Sequence, residues 1–190
     1  LDYGVLPSDR SSVLFEIDRS CVCETAVKAL LDIECDANAR RNNLLPFMHL
    51  LQEKKVDSAI ALQLAKAVHW SEEELRLFFE WWANQPLLKI PSIVSHVTQV
   101  MEQQDLRPRL TGENTLALLF CGGGVSPEQK TLCRDRFDSS VSALRRGGVD
   151  LVAFQHPTPD GSGQGNLLHH LALLNCDSHG HARRDDTCHM

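Results

Sequence analysis

A chain of 190 residues that is 43% hydrophobic and 6% aromatic has the apolar side chains for one well-buried core or two small ones. Nineteen Lys and Arg against 25 Asp and Glu give a net charge of -6, which argues against a dominant phosphate-binding surface and so against nucleic acid as a partner. The longest apolar runs fall far short of the roughly 20 residues that a membrane-spanning helix needs, and the amino terminus has no basic segment followed by an apolar one, so neither a membrane nor export is expected.

Seven cysteines, an odd number in a chain too large to need staples, do not read as a secreted disulfide framework. Cys21, Cys23, Cys35 and Cys133 sit in or beside apolar helical patterns, where a reduced thiol behaves as a small hydrophobe. A reducing compartment, cytoplasm or nucleus, is the expected location. Residues 1–175 read as a single globular domain and the polar residues 176–190 as a disordered tail. No internal repeat is visible.

In chain order, the run VLFEI at 13–17 is short and β-prone, and it feeds a segment with Cys23, Val27, Leu30 and Leu31 at helical spacing: strand, then helix. Asn42-Asn43 breaks the pattern before a short helix at 46–54, and residues 56–70 repeat the periodicity through Ile60, Leu64 and Val68. Ser71-Glu72-Glu73-Glu74 reads as a capping box, with the Ser71 hydroxyl accepting from the Glu74 N–H and the Glu74 carboxylate reaching back.

The helix that starts there, LRLFFEWW, places Leu75, Phe78, Phe79 and Trp82 on one face, with Leu77 and Trp81 widening it. Such a helix is central in a core, or it meets a partner. Pro86 and Pro91 punctuate the chain, after which Ile90, Ile93, Val94, Val97, Val100 and Met101 describe a further amphipathic helix. Phe79, Trp81, Trp82, Val97 and Met101 are therefore the candidate partner-binding residues.

Beyond Arg107-Pro108-Arg109, residues 115–121 read as a strand, Gly122, Gly123 and Gly124 as a turn, and Ser126-Pro127-Glu128-Gln129 as an N-cap with Pro at the first helical position. The helix that follows buries Cys133, Phe137, Val141 and Leu144 and stops at Gly147-Gly148, as a left-handed C-terminal cap prefers. Residues 149–154 return as a strand, which makes a strand–helix–strand unit. Residues 156–165 are a loop, and 167–174 are a strand or a helical turn. The fold class expected is α+β: several amphipathic helices packed on a small mixed sheet that contains this unit.

Three chemistries were weighed on these residues. The glycine turn lacks the Lys and hydroxyl of a P-loop and the G-x-G-x-x-G of a dinucleotide site, so its residues Gly122, Gly123, Gly124 and Ser126 offer only weak anion binding at a helix start. Glycine there also serves a tight turn. The run VLFEIDRSCV resembles the nucleophile strand of the haloacid-dehalogenase phosphatases, but Glu16 stands where the first Asp belongs, followed by Asp18, and a longer side chain displaces the attacking oxygen. Cys121 with His156 or His169 as base, a His169-His170 metal pair, and a zinc site from Cys176, His179, His181, Cys188 and His189 are each outweighed by a structural reading: a buried thiol, a histidine facing solvent and a solvated tail. No catalytic residue, metal or cofactor is assigned.

The order of strand, Cys-containing helix, Leu-Pro helix, long helix, aliphatic strand, Gly-Gly turn and Ser-Pro helix start resembles the HORMA-type fold. The resemblance is carried by VLFEIDRSCVCETAVKALL at 13–31, Leu44-Leu45-Pro46, and LALLFCGGGVSPEQ at 116–129. It implies a non-catalytic cell-cycle or checkpoint adaptor that binds a HORMA partner through a helix or a sheet edge. The carboxy-terminal half departs from it by offering at most two of the several closing strands. A protein–protein interaction module is thus the expected function, with a phosphatase of the haloacid-dehalogenase type, or an inactive relative, as the alternative.

Overall fold

The computed structural model describes residues 13–17, 24–54, 58–85, 88–119, 127–158 and 163–170. These form a 3-10 helix at Val13–Glu16 and seven α-helices: α1 (Glu24–Asp32), α2 (Pro46–Lys54), α3 (Ala59–Ala67), α4 (Glu72–Ala83), α5 (Pro91–Gln104), α6 (Gly112–Leu119) and α7 (Pro127–Arg146). The sheet consists of β1 (His156–Pro157) and β2 (Gln164–Gly165), paired antiparallel. The protein is mostly helical, with this two-stranded sheet at its carboxy-terminal side. Among the described residues no helix is long and apolar enough to cross a membrane.

The helices pack in a connected series: α1 on α3, α3 on α5, α5 on α7, α7 on α6 and α6 on α4. α2 packs on α3, and its Phe47 ring meets Phe78 of α4. The connection before α2 is tied to the one before α4 by Asn38, whose side-chain nitrogen donates to His69 O at 2.9 Å while its oxygen accepts from His69 N at 2.7 Å. In effect the amide copies a strand's backbone pairing.

Local chemistry explains the ends of the helices. Ser58 caps α3 by accepting from Ala61 N at 3.1 Å, and Pro91 opens α5 at a position where its missing N–H costs nothing. Three helices leave through the same left-handed motif. Glu34 (φ 63) follows α1, Asp105 (φ 50) follows α5 and Gly148 (φ 79) follows α7, with the next N–H reaching back to Leu30 O, Met101 O and Leu144 O at 3.1, 3.0 and 3.0 Å. Only the last of these uses glycine, so the recurrence lies in backbone geometry and not in residue identity.

The three expected strands are not observed, and each has a local reason. Residues 13–16 are a 3-10 helix whose Leu14 and Phe15 are buried. Residues 115–119 lie in α6, where the Thr111 hydroxyl accepts from Asn114 N at 3.1 Å and the Thr115 hydroxyl donates to Thr111 O at 3.0 Å, so TGENT supplies an N-terminal cap. Residues 120 and 121 lie outside the described set. Residues 149–154 bend around Asp150, whose Oδ1 accepts from Val152 N at 2.9 Å and Ala153 N at 3.0 Å. The strand–helix–strand unit, and with it the small mixed sheet, is therefore replaced by helices and a short hairpin within the residue range 13–17 and 112–158. Of the stretches that carry the HORMA resemblance, residues 13–16 and 116–119 are helical, while 18–23 and 120–126 lie outside the described residues.

The core is a single cluster drawn from every helix, and it centres on Phe78, which has no exposed surface. Five aromatic rings lie around it: Phe79 at 5.3 Å between centroids, Trp82 at 5.9 Å, Phe47 and Trp70 at 6.0 Å and Trp81 at 6.2 Å. Rings at these separations add attraction beyond area burial. Phe78→Ala is expected to lower stability by about 3–5 kcal/mol in a urea titration, because the surrounding rings cannot close a ring-sized void.

Candidate functional site

α4 is buried almost all round. Phe79, Trp81 and Trp82 on it, and Val97 and Met101 on α5, belong to the core cluster, with at most 7% of their surface exposed. The aromatic face offered as a partner seam is thus occupied by α2, the Trp70 connection and α7. The Nε1 groups of Trp81 and Trp82 are buried with no acceptor among the described residues.

The carboxy-terminal end of α4 is held by α7. Arg136, 5% exposed, lays its guanidinium over the Trp82 ring at 5.2 Å and donates through its two terminal nitrogens, to Trp82 O at 2.7 Å and to Gln85 O. A cation at that end meets the negative pole of the helix and the carbonyls the helix leaves unpaired. Asn84 adds a bond from its side chain to Glu80 O at 2.9 Å.

The other end of α4 carries a charged network. Ser71 is the N-cap, and its hydroxyl accepts from Glu73 N at 3.2 Å, one residue earlier than the box pattern places it. The same hydroxyl donates to Glu74 Oε2, and Arg40 donates to Glu74 Oε1 at 2.5 Å. Burial alone would push the Glu74 carboxyl up, but the bonds from Ser71 and Arg40 outweigh it and hold the group below its ordinary range. Arg76 then bridges Glu73 at 2.9 Å and Glu80 at 2.7 Å along the solvent side. Glu73 is likewise held low, first by Arg76. The solvent face of α4 is therefore a stripe of alternating charge, Glu73, Arg76 and Glu80, with Arg40 3.5 Å from Glu73.

Other candidates disperse. Glu16, the residue compared with a phosphatase nucleophile, lies on the 3-10 helix and pairs with Arg41 at 2.8 Å, and Asp18 lies outside the described residues. The supporting nucleophile strand is not there. Gly122, Gly123, Gly124 and Ser126, together with Cys121 and the tail cysteines and histidines, also lie outside the described residues. Cys35 is a buried free thiol, in keeping with its reading as a small hydrophobe. His169 is exposed, while His170 is buried and its Nε2 lies 3.1 Å from His156 O, so the pair splits between solvent and structure. Among the described residues no three His, Cys, Asp or Glu side chains group as metal ligands. One open groove, about 560 Å³, lies between the starts of α1 and α3 and is lined by Glu24, Thr25, Ser58, Ala59 and Ile60. Only Glu24 among them titrates, and acid–base work would need a second such group.

The network makes a pH prediction. Because the folded state holds Glu74 below its unfolded value of about 4.5, its contribution is complete above that pH and is lost as pH falls through the folded pKa. Glu74→Gln should cost about 1–2 kcal/mol at pH 7 and flatten the acid limb of a stability–pH curve below about pH 4.5. Comparison of the chain with protein-family models, curated proteins and solved structures gave no match.

Proposed function

We propose that the chain is a non-catalytic protein–protein interaction module, which docks a partner through the polar outer faces of its helices. The observation that carries this reading is the division of α4 between a covered aromatic side and a charged outer one: Phe78, Phe79, Trp81 and Trp82 are buried in the core, while Glu73, Arg76 and Glu80 line the solvent side. A partner therefore meets polar side chains there and not an apolar seam.

The α4 stripe is the best-ordered part of such a surface. Glu73, Arg76 and Glu80 hold one another in place over the aromatic core, so a partner meets charges that are already oriented. Surface ion pairs of this kind contribute little to stability, so their value for recognition is separable from folding. Docking through a sheet edge is disfavoured by the two-residue length of β1 and β2. A HORMA-type or cell-cycle partner, in the cytoplasm or nucleus, is what the sequence resemblance implies for the partner's identity.

The test is capture of partners by the whole chain from cell extract, with crosslinking to map the contact. Reversing the stripe with Glu73→Lys, Arg76→Glu and Glu80→Lys together keeps the pairing along α4 but inverts its pattern, at the loss of the exposed Arg40–Glu73 contact. The expected result is loss of the crosslinked partner by at least tenfold, about 1.4 kcal/mol, with melting unchanged within about 2 °C. Undiminished capture, with crosslinks elsewhere, would remove α4 from the interface.

A further inference from the structure

The charges on the outer side of α4 stand in a fixed order. Arg40 lies 3.5 Å from Glu73, and Arg76 reaches Glu73 at 2.9 Å and Glu80 at 2.7 Å. At the helix rise of about 1.5 Å per residue, Glu73 to Glu80 covers about 10 Å. Asn38, two residues before Arg40, is bonded to the backbone of His69, so Arg40 stands at the end of the row where α4 begins and Glu80 at the other end. The four side chains are between 32% and 47% exposed. From the start of the helix the row reads plus, minus, plus, minus.

A row of that order is complementary to itself turned round. When a second copy lays its α4 antiparallel on the first, Arg40 meets the second copy's Glu80 and Glu73 meets the second copy's Arg76, and a twofold axis repeats both pairs. Laid parallel, the same row sets each charge against its like.

We propose that the partner docking on the α4 stripe is a second copy of this chain, paired antiparallel about a twofold axis between Glu73 and Arg76. This rests on the module reading and names the occupant of its surface. The side chains have bonding capacity left for the second copy: a carboxylate accepts about four hydrogen bonds, and among the described residues Glu80 accepts two, both from Arg76. Pairs within each copy already orient the charges, so little side-chain freedom is lost on docking. The net charge of -6 on each copy opposes approach at a distance, so the association is weak and depends on this register.

The experiment is sedimentation of the purified whole chain at about 10 and about 300 µM, a range suited to a small polar interface. It compares the wild type with Arg76→Glu, with the double variant Glu73→Lys and Glu80→Lys, and with an equal mixture of the two. In the antiparallel register Arg76→Glu sets two of its own four pairs like against like and the double variant sets all four, whereas the mixture restores three opposite pairs. Both variants keep the Ser71, Glu74 and Arg40 contacts, and melting is expected to fall by no more than about 5 °C. The wild type is expected to form dimers over this range, each variant alone to associate at least tenfold more weakly, and the mixture to return to within about threefold of the wild type. A wild type that stays monomeric at about 300 µM, variants that dimerise as the wild type does, or a mixture that fails to recover each overturns the proposal. The module reading fails separately, when reversal of the stripe leaves capture from extract undiminished. If either variant does not fold, the neutral Arg76→Gln decides: dimerisation weakened at least fivefold supports the pairing, and dimerisation equal to that of the wild type overturns it.

Discussion

Phe78 is the point through which the rest of the structure is constrained. It sits midway along α4 without exposed surface, and the rings around it come from α2, from the connection that follows α3 and from α4 itself. Close-packed interiors transmit displacement, so the position of any one of these elements fixes the others. Arg136 extends the constraint to α7 by clamping the carbonyl end of α4 and covering Trp82. At the opposite end Ser71, Glu74 and Arg40 tie α4 to the chain before α2. One helix is thus fixed along its side and at both ends.

The covered and the solvent-facing sides of α4 differ in what they contribute. The large aromatic residues, which sequence composition alone would nominate as docking anchors, are consumed in holding the helices together. Anchors of an interface must be reachable in the free protein or become so at a cost in opening, and these are covered. What faces solvent along α4 is charged and mutually paired, and exposed pairs of this kind contribute little to folding. Among the described residues the exposed large apolar side chains are Ile33, Val152 and Leu168.

The middle of the chain was legible because its signals agree. In α3, α4 and α5 the 3.6-residue periodicity, Ser58 or Ser71 at the start and Pro91 at a first turn all point to helix, and all three helices form. The Gly147-Gly148 stop after α7 was legible for the same reason. The strands failed where a short apolar run stood alone: residues 13–17, 115–121 and 149–154 carry no period long enough to tell a strand from a helical turn. The deciding signals there were single polar side chains, Thr111 starting α6 and Asp150 bending the chain. Two of the three left-handed helix exits were hidden because they use Glu34 and Asp105 in place of glycine. For the site, the sequence drew attention to α4 through its aromatic residues, but periodicity reports which residues share a face and not whether a neighbour covers it. Its width, with Leu77 and Trp81 flanking the stripe, was the available sign of burial on several sides.

The central claim is that α4 is the interior spine of the fold and not an open docking face. Acrylamide quenching of tryptophan emission tests it most directly, because all three tryptophans, Trp70, Trp81 and Trp82, lie in this cluster and are 3%, 7% and 2% exposed. The native chain at neutral pH should be quenched several-fold less steeply than the same chain in concentrated urea, with a blue-shifted emission maximum. Native quenching close to that of the unfolded chain would mean that the indoles of α4 meet solvent, and the account would be wrong at its foundation.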